Sequence, residues 1–364
     1  MTLPHETSVT IAGRKIGVGS PCFVIAEAGV NHNGDVKLAH RLVEAAHEAG
    51  ADAVKFQTFS ADTLATAAAE KAGYQNAATG AGSQRDMLRT LELHRTDFES
   101  LRDHSRDLGL IFLSSAFDET NVDVLHDLGV QAFKIPSGEL TNTPLLRHIA
   151  RKGRPVILST GMATMDEVGD ALTLLEDGGA DGIVILHCVS AYPATDSDIN
   201  LRAMKTLAKT FQRPVGLSDH SVGTAIAIGA CALSACMIEK HLTLDRNMLG
   251  PDHRASLEPA EFAEMASAIR RVEIALGDGR KEPKEAERET ASVARKSLHA
   301  RTDLPAGAVI VRDNIVIARP QTGLPPFMFD QILGRVLRRA IPAGQPIRMD
   351  DIAETAGFVA EMKT

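Results

Sequence analysis

The sequence predicts an α/β protein, a (β/α)8 TIM barrel followed by a small β-rich domain. Three observations lead there. Eight short apolar runs, most separated by one amphipathic helix, recur within about 250 residues. Polar and ionisable residues collect at the C-terminal ends of those runs, where such barrels build active sites. Beyond about residue 280 the pattern changes to short β-like runs broken by Pro and Gly turns. No GxGxxG follows the first run, which counts against a dinucleotide-binding sheet.

The first run, Phe23-Val24-Ile25-Ala26, ends at Glu27-Ala28-Gly29-Val30-Asn31-His32-Asn33-Gly34. Asp35 then opens a helix with Leu38, Leu42, Val43 and Ala46 on one face, stopped by Gly50. The second run is Ala53-Val54-Lys55-Phe56-Gln57-Thr58. Residues 60–83 are rich in small side chains and too long for a plain connector, so they read as a functional loop or lid. The other runs cover 110–115, 132–139, 155–161, 183–188, 215–220 and 237–243. Helices are expected at 97–108, 118–128 and 166–176, with Asp97, Asp118 and Asp166 as N-caps. The barrel domain is thus placed at 1–278, a charged linker at 279–296 and the second domain at 297–364. In that last domain Val309-Ile310-Val311 and Ile315-Val316-Ile317-Ala318 read as β-like, and Leu304-Pro305-Ala306-Gly307 is echoed by Ile341-Pro342-Ala343-Gly344.

Composition narrows the function. A net charge of −8, from 39 basic and 47 acidic residues, argues against binding nucleic acid by bulk electrostatics. A small anionic substrate remains compatible, because a few local Lys outweigh a mildly acidic surface. The four Cys lack CxxC spacing and read as buried reduced thiols. No signal peptide and no apolar stretch of membrane-spanning length is evident, so a cytoplasmic location without membrane association is expected.

The chemistry sits at the strand ends. His220 ends the seventh run and His241 lies in the eighth. Neighbouring strands are roughly 5 Å apart, within reach of one divalent ion, and two imidazoles leave coordination positions for water and substrate. The alternative is a pair of hydrogen-bonded strand-end His. Lys55 and Lys134, with Ser115, Ser137, Ser159 and Ser218 at matching ends and the Gly138 and Gly161 amides nearby, make a cradle for phosphate or carboxylate. Either Lys could instead pair with Glu139 or Glu239. Glu27 and Glu139 are candidates for a general base or for stabilising developing positive charge, with a salt bridge to Lys55 or Lys134 as the other reading. Gln57, Tyr192 and Asp252 are groups of the kind that read a polyol, or ordinary solvated loop residues.

These motifs, with Leu158-Ser159-Thr160-Gly161-Met162, Leu186-His187-Cys188, Gly216-Leu217-Ser218-Asp219-His220 and Gly250-Pro251-Asp252-His253, resemble the sialic acid synthase family. The stretch from about Ala294 resembles its antifreeze-like (SAF) domain. The resemblance implies a metal-dependent condensation of phosphoenolpyruvate with an open-chain N-acylated hexose, typically N-acetylmannosamine. The product would be a nine-carbon 2-keto sugar acid such as N-acetylneuraminate, with phosphate released by C–O cleavage. An N,N'-diacetyllegionaminate synthase, using a 6-deoxy diacetamido hexose, is the alternative, and a non-catalytic sugar-binding barrel the second.

By the same resemblance His220 and His241 hold Mn2+, with Mg2+ or Co2+ as alternatives. Lys55, Ser115, Lys134, Ser137, Ser159 and Ser218 hold phosphoenolpyruvate. Gln57, Glu139, Tyr192 and Asp252 contact the sugar, and Glu27 acts near the reacting carbons. A homodimer that swaps its SAF domains is implied, with Arg319 over the partner's sugar pocket. Ser190, Ala116 and Gln321 depart from the family's pattern.

Overall fold

Aliphatic and β-branched residues occupy both faces of the eight runs, and each run becomes a buried parallel strand. The computed structural model describes residues 8–353 and divides into two compact units between Asp278 and Gly279. The first unit opens with an antiparallel hairpin, β1 (Ser8–Ile11) and β2 (Arg14–Gly17). Its turn puts Ala12 and Gly13 at φ 50° and 76°, the left-handed pair of a tight hairpin. The sequence reading begins its runs at Phe23 and places no hairpin here, since Ala-Gly is a weaker turn signal than Asn-Gly.

The barrel strands are β3 (Phe23–Gly29), β4 (Ala53–Thr58), β5 (Ile111–Ala116), β6 (Phe133–Ile135), β7 (Val156–Ser159), β8 (Ile183–Cys188), β9 (Val215–Asp219) and β10 (Met237–His241). They pair in chain order, and β10 closes onto β3 with His241 opposite Glu27. Inward residues of the strand beginnings, among them Ile25, Leu113, Ile157 and Met237, form one apolar cluster with Val9, Ile11 and Ile16 of the hairpin. The hairpin therefore seals the N-terminal end of the barrel. Outward strand residues pack under the helices in a second, larger cluster.

Helix starts differ in detail from the sequence reading. Asp35 and Asp118 do cap their helices, accepting from Lys37 N at 2.8 Å and Asn121 N at 2.8 Å. Asp97 instead sits three residues inside Arg95–Asp107 and reaches back to the His94 amide at 2.8 Å. Thr164, not Asp166, caps Met165–Asp177, with Glu167 completing the reciprocal bond. An acidic residue in a first turn can serve as cap or as the returning partner, and spacing alone does not separate the two.

The stretch 60–83 is not an open loop. It holds the short helices Ala61–Leu64 and Gly73–Thr79, followed by Gln84–Arg89. Val30, Phe59 and Leu91, with Leu64, Leu88 and Phe117 against them, form a small separate apolar cluster beneath it.

In the second unit β11 (Ser297–Ala300) pairs antiparallel with β12 (Ile315–Ala318). The echoed turns face each other, since Leu304 and Ile341 exchange backbone hydrogen bonds at 2.9 and 2.8 Å. Two expectations need correction here. Residues 309–311 form only an isolated bridge, Val309 with Val336, rather than a strand. The charged linker contains the helix Arg288–Ala294, whose exposed polar residues had masked it. All four Cys are buried and free. Among the described residues no helix is long and apolar enough to cross a membrane.

Candidate active site

Period-two alternation sends the last inward side chain of each strand into the barrel mouth. Their heads line a cavity of about 470 Å³ at the C-terminal ends of the strands. Glu27 is the last inward residue of β3 before the strand bulges between Glu27 and Gly29. Gly29 adopts φ 52°, and a Cβ there would stand 3.1 Å from Glu27 Oε1 and 3.3 Å from Gln57 Nε2. The bulge thus brings Gln57 Nε2 to donate to Glu27 Oε1 at 3.1 Å.

Four ionisable groups form the cavity floor. Lys55 Nζ lies 2.6 Å from Glu27 Oε2 and 3.8 Å from Glu239 Oε2, and donates to Ser115 Oγ at 3.2 Å. Lys134 Nζ lies 3.5 Å from Glu239 Oε1, which also accepts from Ser218 Oγ at 2.9 Å. Burial pushes the Glu27 carboxyl up, against the opposing pull of Lys55. Burial works the same way on Glu239, but Lys134 and Lys55 outweigh it and hold that carboxyl low. Burial would lower the Lys55 ammonium, yet Glu239 and Glu27 carry it above its ordinary value. Lys134 is different: burial wins over the pull of Glu239, and its affinity for a proton falls. An anion arriving at Lys134 would supply the missing charge.

Beside Lys134 is a ring of hydroxyls. Ser137 Oγ accepts from the Gly161 amide at 3.0 Å, and Ser159 Oγ is buried without a protein partner. Gly161 is required there, because a Cβ would meet Ser190 Oγ at 2.2 Å and Ser137 Oγ at 2.8 Å. An unspent hydroxyl next to an under-neutralised ammonium is the composition of an oxyanion site.

The two imidazoles stand across the mouth, with ring centroids 5.4 Å apart. His220 Nδ1 lies 2.8 Å from Val189 O, a bond that in the neutral ring leaves Nε2 as the lone-pair nitrogen. His241 Nδ1 is buried, has no hydrogen-bond partner, and lies 3.8 Å from Asp252 Oδ2. Burial, then His220 and Lys55, hold His241 well below the usual imidazole range, so it is neutral. Burial also pushes Asp252 up to about 6. One imidazole fixed by a backbone carbonyl and one with an orphaned buried nitrogen suit a divalent ion. Among the described residues no group of three or more His, Cys, Asp or Glu is arranged to hold one, so the fit rests on this pair.

Directly behind the imidazoles, Lys240 Nζ donates to Asp219 Oδ2 at 2.8 Å and to Ser221 O at 2.6 Å. Asp219 Oδ1 in turn accepts from the Ser221 amide and hydroxyl. This fully buried pair ties together the two strands that carry the His.

The cavity therefore gathers Glu27, Lys55, Gln57, Ser115, Lys134, Ser137, Ser159, Tyr192, Ser218, His220, His241 and Asp252. It leaves two expected residues aside. Glu139 is not on its wall; it sits in the turn Ser137–Glu139 and accepts from Asn142 Nδ2 at 2.6 Å. Arg319 belongs to the second unit, just past β12, with an exposed side chain. Glu239, weighed in the sequence only as a salt-bridge partner, is a floor residue; its place two before His241 on one strand was the available signal. Tyr74 was missed because nothing in a small-residue stretch ties one aromatic to a distant strand end.

The NeuB family model matches residues 42–281 and the SAF domain model residues 295–353. The chain belongs to the NeuB family. Its relatives include the N,N'-diacetyllegionaminic acid synthase of Legionella pneumophila, 46% identical over 92% of this chain and 96% of that one. The N-acetylneuraminate-9-phosphate synthase of Homo sapiens is 34% identical, covering 95% and 96%. Among solved structures, the N-acetylneuraminic acid synthetase of Leptospira borgpetersenii superposes with a TM-score of 0.69 at 35% identity, covering 78% of this chain and 94% of that one. This NeuB-family chain is thus a sugar-acid synthase by kinship.

Proposed function

We propose that the protein condenses phosphoenolpyruvate with an unphosphorylated diacetamido 6-deoxy hexose, giving N,N'-diacetyllegionaminate and phosphate. The observation that carries the choice of sugar is the cavity lining. Lys55 and Lys134 are its only Lys or Arg among the described residues, and both face carboxylates on the floor. One anionic substrate is provided for there, and the cavity's own lining offers no third cation for a phosphate on the sugar. The same lining includes the apolar side chains of Val30, Met87, Leu88, Leu91, Phe117 and Pro251. Such side chains suit the methyls of two acetamido groups and of a 6-deoxy carbon. The higher identity to the Legionella relative supports the same choice.

In this reading Lys134, Ser159 and Ser137, the last oriented by the Gly161 amide, hold the phosphate, while Lys55, Ser115 and Ser218 hold the enol end. The C3 carbon of phosphoenolpyruvate attacks the open-chain aldehyde, water adds at C2, and the C2–O bond to phosphate breaks. Glu27, kept proton-hungry by burial and oriented by Lys55, lies beside the reacting carbons to accept the proton lost by water. Gln57, Tyr192 and Asp252 position the sugar. A divalent ion, Mn2+ by the family resemblance, would be held by His220 and His241 and would supply polarisation of the aldehyde. A cytoplasmic homodimer, with Arg319 presented to the partner's sugar, belongs to the same proposal.

A second reading, N-acetylmannosamine as substrate, is favoured by the structural likeness to the Leptospira enzyme. The two are separated by giving the full chain Mn2+, phosphoenolpyruvate and each sugar in turn and following phosphate release and product mass. The diacetamido sugar is expected to show a kcat/KM at least about tenfold higher. The reverse order would establish the second reading, and no turnover with either would overturn both.

A further inference from the structure

The chain contains two tyrosines and no tryptophan, and both tyrosines line the same cavity. Tyr74 lies on the helix Gly73–Thr79; Tyr192 follows β8. Their rings stack with centroids 5.2 Å apart and planes 28° apart. The Tyr192 ring in turn lies 4.2 Å from that of His220 and meets His241 edge-on at 5.8 Å. Four rings thus run in a column from the segment over the cavity to the imidazole pair beneath.

The helix that carries Tyr74 has no fully buried residue. Its other ties are polar and local: the Ala72 amide to Gln75 Oε1 at 3.0 Å, and Lys71 Nζ to Thr79 Oγ1 and Gly80 O at 3.0 Å each. None of these reaches a barrel strand. The stack on Tyr192 joins this helix to the barrel mouth, and offset aromatic packing supplies attraction beyond simple burial.

We infer that Tyr74 is a specificity-determining residue of the sugar site, forming its outer aromatic wall and fixing the helix 73–79 over the mouth through Tyr192. The inference rests on the proposed function for the nature of the ligand; the stack itself does not. Phosphoenolpyruvate, seated at the floor with Lys55 and Lys134, lies away from this wall. A sugar extending upward from the floor meets it. Loss of the ring should therefore weaken the sugar and leave phosphoenolpyruvate little affected.

The test compares Tyr74→Ala with Tyr74→Phe in the full chain, assayed with Mn2+, phosphoenolpyruvate and each of the two sugars. Tyr74→Ala is expected to raise the KM of the sugar about tenfold and that of phosphoenolpyruvate less than about twofold. Tyr74→Phe, which keeps a ring, should recover most of that loss. A sugar KM unmoved by Tyr74→Ala, or both KM values raised alike, would overturn the assignment. A second readout needs no turnover. In both variants Tyr192 is the one tyrosine left, so all tyrosine emission reports on its environment. Acrylamide should quench that emission at least about twice as efficiently in Tyr74→Ala as in Tyr74→Phe, because the covering ring is gone. Equal quenching would mean that the stack does not form, whatever the substrate. Unequal quenching without turnover of either sugar would overturn the proposed function and the sugar role together, while the stack would stand.

Discussion

In the lower half of the barrel the inward residues Ile25, Ala53, Leu113, Ala132, Ile157 and Met237 are buried and apolar. Two positions further along the same six strands, the inward residues are Glu27, Lys55, Ser115, Lys134, Ser159 and Glu239, almost as deeply buried. Backbone geometry is the same in both layers, so the difference lies in what each layer is for. Apolar side chains in the lower layer stabilise the fold by leaving water. Each ion in the upper layer costs several kcal/mol to desolvate, and pairing returns only part of that. Lys134, whose proton affinity falls despite Glu239, and Ser159, with no partner for its hydroxyl, record the part not returned. A barrel mouth built for stability alone would continue the apolar layer. This one keeps unspent polar groups for a ligand.

The strongest break in the comparison is His241→Ala. The imidazole has a buried, unpartnered nitrogen, so removing it relieves an unsatisfied group while losing some ring packing. Folding stability is expected to change by less than about 2 kcal/mol, while turnover falls by at least about a thousandfold, equivalent to ~4 kcal/mol. Denaturant unfolding and phosphate release measure the two, and Mn2+ bound to the variant, read by electron paramagnetic resonance, should drop with the activity. Turnover within tenfold of the parent, with bound Mn2+ unchanged, would remove the ion from the proposed mechanism.

Ile157→Ala is the mirror experiment in the lower layer. Ile157 is fully buried and its removal leaves a cavity that a closed barrel cannot collapse. A loss of about 2–5 kcal/mol in stability is expected, with kcat per folded molecule nearly kept. A large fall in kcat at temperatures where the variant is folded would mean that the layers are coupled and the contrast too sharp.

The two layers also differ in how far the sequence discloses them. Strand positions and the closed barrel follow from runs such as Ile183–Cys188, whose aliphatic residues fit few other environments. Even the upper layer is partly legible, because Lys55, Lys134 and Glu27 break apolar runs at matching places. What the sequence does not disclose is which charges meet. Lys134 faces Glu239 rather than the near neighbour Glu139, because Glu139 has left the strand for the turn that follows it. Nor does it disclose the pairing of Tyr74 with Tyr192, which depends on how a long segment folds back over the mouth. Local periodicity encodes the frame; contacts between distant strand ends depend on closure.

His32 offers the smallest and most selective test. It follows β3 beside the upper layer, wholly buried, and meets that layer's problem in another way. Instead of pairing a charge, the protein keeps the ring neutral: Nδ1 accepts from the Gly34 amide at 3.0 Å and Nε2 is buried without a partner. Burial lowers its pKa to about 4, against the weaker pull of the Gly29 backbone and of Asp35 and Asp97, with His253 adding to the lowering. In the unfolded chain the ring titrates near 6.5. Between those values the unfolded state binds the proton and the folded state does not, so stability rises with pH there. The contribution is complete above about 6.5 and is lost as pH falls toward 4, a swing on the order of 3 kcal/mol. Other buried groups add their own slopes, so the informative quantity is the difference between the parent and His32→Asn. The variant should be less stable at neutral pH, because a packed ring is gone, yet its stability should fall less steeply from pH 6.5 to pH 4.5. Denaturant unfolding across that range measures both slopes. Parallel profiles would mean that His32 takes up its proton in the folded protein over the same pH range as in the unfolded chain, and that this buried site tolerates charge more widely than the paired Lys and Glu suggest.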